Sequence, residues 1–136
     1  MTELFLAARI AVLSLIGAIQ PVASDRQAKE FAADEDVLQS LRRNNDVPTI
    51  VRPVDARFVG PEANISVLAR SIRSYGYRVI QLVSFPPEGV ALDTQRDQQA
   101  DGNTIRRMTE EALQIEAKYG VRYDGWGCVA QTGAAK

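Results

Sequence analysis

Few groups in this sequence could carry out chemistry. Histidine is absent, which removes the commonest general acid–base group and the commonest metal ligand together. The single cysteine, Cys128, has no second thiol to pair with. It lies in a strand-like stretch, where a small buried hydrophobe is its ordinary role, and no histidine is available to activate it. Serine and threonine hydroxyls lack a base partner for the same reason, so triad chemistry fails. Asp93, Asp97 and Asp101 recur every four residues, but their segment reads as strand then loop. That spacing aligns carboxylates only on a helix, so a solvated row is expected rather than a metal site. A glycine-rich phosphate loop followed by arginine, as an acylphosphatase-like domain would need, is not found. The residues imply no catalysis, no cofactor and no metal, and point to a chain that works by binding.

Composition narrows the partner. The 136 residues make room for one domain. Hydrophobic residues at 46% and charged residues at 24% support a packed core rather than disorder. Sixteen basic against 17 acidic residues give a net charge of −1, and no basic run tracks a phosphate backbone. DNA is therefore not an expected partner. RNA is a secondary option, through base stacking on Phe58, Phe85 and Trp126 if these lie on an open sheet face.

Residues 1–24 differ from the rest. Leu4 to Ala23 is almost wholly apolar with Arg9 as its one charge, Pro21 would break a helix, and Val22-Ala23-Ser24 has the small residues of a leader-peptidase site. This segment reads as a signal peptide, leaving Asp25 as the new N-terminus, or as a membrane anchor. The domain is then exported or anchored, with a cytoplasmic location as the alternative if the leader is not made. Residues 25–33 read as a polar linker.

The elements that must position any site follow. Asp34 reads as the N-cap of a lead helix to about Arg43, with Phe31, Leu38 and Leu41 on one face. Val54 to Val59 alternates with a period of two, a half-buried strand whose pairing should begin after Pro53. Gly60-Pro61 opens a helix with Ile65, Leu68, Ala69, Ile72 and Tyr75 as its apolar stripe, and Gly76 caps it. Tyr77 to Phe85 is a second strand, Pro86-Pro87-Glu88-Gly89 a turn, and Val90 onward a third strand that becomes polar toward Gln98, where it forms an edge or frays. Asp101-Gly102-Asn103 starts a longer helix buried along Ile105, Met108, Ala112, Ile115 and Tyr119. Gly120 ends it, Val121 to Ala130 is the last strand, and the tail from Gln131 is expected to fray. Strand, helix, strand, strand, helix, strand predicts an α+β ferredoxin-like sandwich: a four-stranded antiparallel sheet, two helices on one face, and an extra N-terminal helix.

The most distinctive stretch is Tyr123-Asp124-Gly125-Trp126-Gly127. Tyr123 and Trp126 are an odd number of residues apart, so in a regular strand one faces the core and the other the open face, where it could anchor a partner. Asp124-Gly125 suggests a bulge, which Asp124 could fix by accepting backbone N–H bonds. The plainer reading is that all five residues hold the last strand in place. Following a helix that ends in Glu116-Ala117-Lys118, this stretch resembles the C-terminal motif of the regulator of ribonuclease E activity B family, in which such a helix runs into a Tyr-Asp-Gly-Trp-Gly strand. The likeness is residue by residue over these five positions. Elsewhere from Asp34 it lies in element order and the Gly76-Tyr77 junction. It implies that residues 34–131 form a ferredoxin-like domain that binds ribonuclease E and dampens its activity, without cofactor or chemistry of its own. If the leader exports the domain, the same fold would serve an envelope partner instead.

Overall fold

The computed structural model describes residues 23–133. The expected leader therefore lies outside the described residues except for Ala23 and Ser24, and so does the end of the tail. Among the described residues no helix is long and apolar enough to cross a membrane.

The first helix, α1, spans Ser24–Arg43. Residues 25–33, expected as a linker, are helical, and Asp34 lies inside the helix rather than capping it. Two effects favour the longer helix. Ala, Gln, Lys and Glu dominate its first turns and are good helix formers. Arg26 also pairs with Glu30 one turn on, at 2.6 Å. Asn44 closes the helix through its backbone N–H and its side chain, which donates to the Ser40 carbonyl at 2.8 Å. The loop that follows is pinned by Arg52 and Asp46, 2.8 Å apart with side chains only 1% exposed. The same Asp46 accepts from the Gln131 backbone N–H at 2.7 Å. The start of the tail, expected to fray, is thus tied to this loop.

The remaining elements are β1 (Arg52–Gly60), α2 (Glu62–Ser71, continued as a 3-10 turn over Ile72–Tyr75), β2 (Arg78–Phe85), β3 (Gly89–Gln98), α3 (Gly102–Tyr119) and β4 (Arg122–Gly127). Asp101 caps α3 by accepting the Thr104 N–H at 2.7 Å. Gly76 and Gly120 end their helical segments with φ of +88° and +65°, backbone that side chains resist. The sheet order is β2-β3-β1-β4 and every neighbouring pair is antiparallel. That order, with two split βαβ units, is the expected ferredoxin-like sandwich.

Two strand expectations need correction. β1 pairs with β3 from Arg52, so Pro53 lies within the ladder, opposite Asp97. β4 joins β1 only from Asp55 on, which leaves Pro53 with a strand on one side and no second ladder to interrupt. The polar end of β3 is not frayed, because Gln95 to Gln98 pair with Arg52 to Asp55, but β2 pairs with β3 only as far as Gln95, so Arg96 to Gln98 form a short edge on that side. Gln95 and Asp97 lie on the face away from the helices, where alternation permits polar side chains, while Arg96 turns toward the helices and donates to Glu111 at 2.9 Å and to the Tyr75 carbonyl at 2.6 Å.

One core joins Ala56, Phe58, Leu92 and Tyr123 of the sheet to Ile65 and Leu68 of α2 and to Ala112, Leu113 and Ile115 of α3. A second joins Leu38 and Leu41 of α1 to Val54, Ala100, Ile105 and Met108. α1 thus covers the end of the same sheet face, over the N-terminal half of α3, and leaves the opposite face open. Phe58 is fully buried at the centre, its ring 5.5 Å from that of Tyr123. Phe58→Ala is expected to lower the free energy of unfolding by about 3–5 kcal/mol in urea titrations.

Candidate interaction site

The five motif residues occupy β4, and a bulge decides where they point. Tyr123 lies opposite Phe58 and Trp126 opposite Ala56, so three steps along β4 match two along β1. Gly125 takes φ of +102° at this irregularity, as a bulge requires. The extra residue turns Tyr123 and Trp126 to the same face, toward the helices. Trp126 is therefore not the open-face anchor that strict alternation would make it.

Each aromatic is fixed by polar groups from α1 and α3. Tyr123 is 1% exposed. Its backbone N–H donates to Glu116 Oε1 at 2.8 Å, and its carbonyl accepts from the Arg26 guanidinium at 3.1 Å. Arg26 also binds both carboxylate oxygens of Glu116, at 3.1 and 2.7 Å. Trp126 Nε1 donates to Asp34 Oδ1 at 2.9 Å, and Thr109 Oγ1 donates to Asp34 Oδ2 at 2.6 Å. Asp34 is 5% exposed. Burial raises its pKa above the ordinary carboxyl value, against the opposing pull of these two hydrogen bonds. The Tyr123 hydroxyl is buried without a hydrogen-bond partner, and burial raises its pKa.

Asp34, Arg26 and Glu116 escaped the sequence reading as members of this site. One signal was present. Phe31, Asp34, Leu38 and Leu41 are spaced three, four and three residues apart, so Asp34 interrupts the apolar stripe of a helix long enough to include it.

Asp124 is exposed, and the Arg122 guanidinium engages its carboxylate at 2.6 Å in place of the backbone N–H groups expected. Arg122 reaches both Asp124 and Glu88 and so joins β4 to the β2–β3 turn. Across the open face Arg57 binds both oxygens of Asp93, at 2.6 and 3.0 Å, and holds that carboxyl below the usual carboxylate range. Arg78 pairs with Asp97. The aspartates at 93, 97 and 101 are thus two ion-pair partners and a helix cap, not a cluster. Cys128 follows β4, half-buried against the second core, with Sγ 3.7 Å from Arg52. Burial pushes its thiol pKa up, so its thiolate is disfavoured.

Gly127 completes the motif. It pairs with Asp55 and falls on the open face, since Trp126 before it points to the helices. A shallow groove of about 480 Å³ lies there, lined by Asp55, Ile80, Gln81, Asp93, Asp124 and Gly127 among others.

A sequence model of the family described as regulator of ribonuclease activity B matches residues 31–128. The chain belongs to this family. The match runs from Phe31 in α1 to Cys128 just beyond β4, and so takes in the whole sandwich with the interlocked second half of α1. No curated protein matches the sequence. Regulator of ribonuclease activity B is a regulatory family, so the coarse expectation of a regulator stands.

In this regulator of ribonuclease activity B domain the buried Asp34 sets a pH dependence. Its folded pKa is raised, so its contribution to stability is fully present below a pH of about 4 and is lost as the pH rises through the folded value. Asp34→Asn keeps an acceptor for Trp126 and removes the charge. Urea unfolding from pH 4 to 7 is expected to show the wild type losing stability relative to Asp34→Asn as the pH rises. Trp126→Phe, which leaves the carboxylate one donor short, is expected to cost about 2 kcal/mol at pH 7.

Proposed function

We propose that this chain regulates RNA decay by binding ribonuclease E, and that it acts as a shaped protein surface with no chemistry of its own. Family membership supports the regulatory part of this reading. The observation that carries the rest is how the motif is used. Tyr123 and Trp126 hold the last strand to α1 and α3, and the acidic groups of the sheet are engaged by arginine or amide side chains. A fold organised this way presents a fixed outer surface to a partner.

Direct RNA binding is the weaker reading on two specific grounds. Phe58 is buried beneath the helices and Trp126 turns to Asp34, so of the three candidate stacking residues only Phe85 keeps to the open side, where the Arg57 guanidinium sits 5.5 Å from its ring centre. Five carboxylates (Asp55, Asp93, Asp97, Asp124 and Glu88) share that face or its rim with three arginines, and the negative excess repels phosphate.

A ribonuclease E partner places the domain on the cytoplasmic side of the membrane. An envelope partner is the alternative, and the mass of the mature protein separates the two: an N-terminus at Asp25 in a periplasmic fraction overturns the ribonuclease E assignment. Purified full chain added to purified ribonuclease E is expected to lower the initial rate of cleavage of a fluorescent single-stranded RNA, saturably. The chain alone is expected to leave that RNA intact. An unchanged rate across micromolar concentrations overturns the proposal.

A further inference from the structure

Nothing in the fold requires glycine at 127. Its φ lies outside the left-handed region, and a Cβ placed there meets nothing within 4 Å. Glycine otherwise weakens a strand, because it loses the most conformational freedom on folding and packs no side chain. Gly89 shows the contrast: a Cβ there would lie 2.6 Å from the Gly60 carbonyl oxygen. The empty space at Gly127 opens onto the groove, next to its strand partner Asp55.

The groove crosses the sheet. It begins at Ile80 and Gln81 on β2, passes Asp93 on β3 and Asp55 on β1, and ends at Asp124 and Gly127 on β4. Three inter-strand spacings make a path of about 14 Å, the length of about four extended residues. Its charges are uneven along that path. Asp93 is saturated by Arg57 and by Gln81, whose amide donates at 2.8 Å. Asp55 accepts from the neutral Gln95 amide at 2.8 Å and forms no ion pair among the described residues. Asp124 shares one arginine with Glu88. Negative charge is therefore left over toward the β4 end, while the β2 end offers Ile80, 51% exposed.

We propose that this groove docks an extended segment of the protein partner, with arginine or lysine side chains set against Asp55 and Asp124 and an apolar side chain on Ile80. The inference rests on the protein-binding reading above and adds to it the surface and the chemistry of the bound segment. The missing side chain at Gly127 is what lets the partner's backbone approach the sheet.

The probe is a blocked, fluorescently labelled hexapeptide with isoleucine near one end and two arginines near the other. Its counterpart carries glutamates in place of the arginines. Fluorescence polarisation with the full chain is expected to show binding of the arginine peptide and none of the glutamate peptide. Gly127→Val, which fills the groove, and Asp55→Asn, which removes a carboxylate that has no ion pair among the described residues, are each expected to weaken binding tenfold or more with the thermal midpoint unchanged. Glu110→Gln, on the outer side of α3, is expected to have no effect. Equal binding by wild type and both groove variants overturns the proposal, as does displacement of the peptide by a uridine oligonucleotide. Purified ribonuclease E gives the separating result. If wild type and Gly127→Val retain it equally, the groove is wrong and the functional reading stands. If neither retains it while the peptide still discriminates, the groove stands and ribonuclease E is the wrong partner.

Discussion

The extra residue in β4 decides where every large side chain of the last strand goes. Without it Trp126 would point to the open face, Asp34 would lose one of its two donors, and α1 would lose one of its links to β4. With it, Tyr123 and Trp126 both face inward and Gly127 faces outward. Gly125 makes this possible because a side chain resists its φ of +102°. A single backbone irregularity thereby sets both the attachment of α1 on one face and the hollow on the other.

α1 is held by an unusual balance of forces. Its apolar contribution rests largely on Leu38 and Leu41, at the C-terminal end. Farther toward its N-terminus the attachment is polar: Asp34 receives Trp126 and Thr109, and Arg26 joins Glu30, Glu116 and the Tyr123 carbonyl. Burying a carboxylate is costly unless its lone pairs are satisfied, and hydrogen bonds from an indole and a hydroxyl only partly replace water, which is why the Asp34 pKa rises. Such contacts add little net stability compared with an apolar contact of equal size, but they tolerate only one geometry. The register of α1 against β4 is fixed by this selectivity more than by hydrophobic area.

The parts of the fold legible in sequence were those where local chemistry and tertiary structure agree. The stripe from Ile65 to Tyr75, the glycines at 76 and 120, the helix start at Asp101-Gly102-Asn103 and the alternation from Val54 to Phe58 each predict their element because local spacing, backbone sterics or a local hydrogen bond decides it. The failures lie where distant residues decide. The first turns of α1 look like a linker until Glu116, 90 positions away, is placed beside Arg26. The polar end of β3 looks ready to fray until β1 is paired along it. In the motif, a bulge was expected from Asp124-Gly125, but its consequence for Trp126 depends on register with β1, which no local pattern encodes. Asp34 was misread as a cap because an acidic residue before an apolar run fits that role, whereas its true partners are an indole and a hydroxyl on two other elements.

The open face has a physical character that follows from these constraints. The helices take the apolar side of the sheet, so alternation leaves Asp55, Arg57, Asp93, Gln95 and Asp97 on the other. Arginine pairs there tie elements together: Arg57 to Asp93 and Arg78 to Asp97 span neighbouring strands, and Arg122 to Glu88 joins β4 to the β2–β3 turn. Exposed pairs of this kind add little stability because water and salt screen them. They do hold long side chains in set positions, and a partner that meets positioned charges gives up less conformational freedom on binding. The same residual field that repels phosphate attracts cationic side chains, and it acts on the rate of encounter more than on the lifetime of the complex. An affinity resting on this face must therefore come from the close fit over Ile80 and the hollow at Gly127, with charge selecting which segment arrives there.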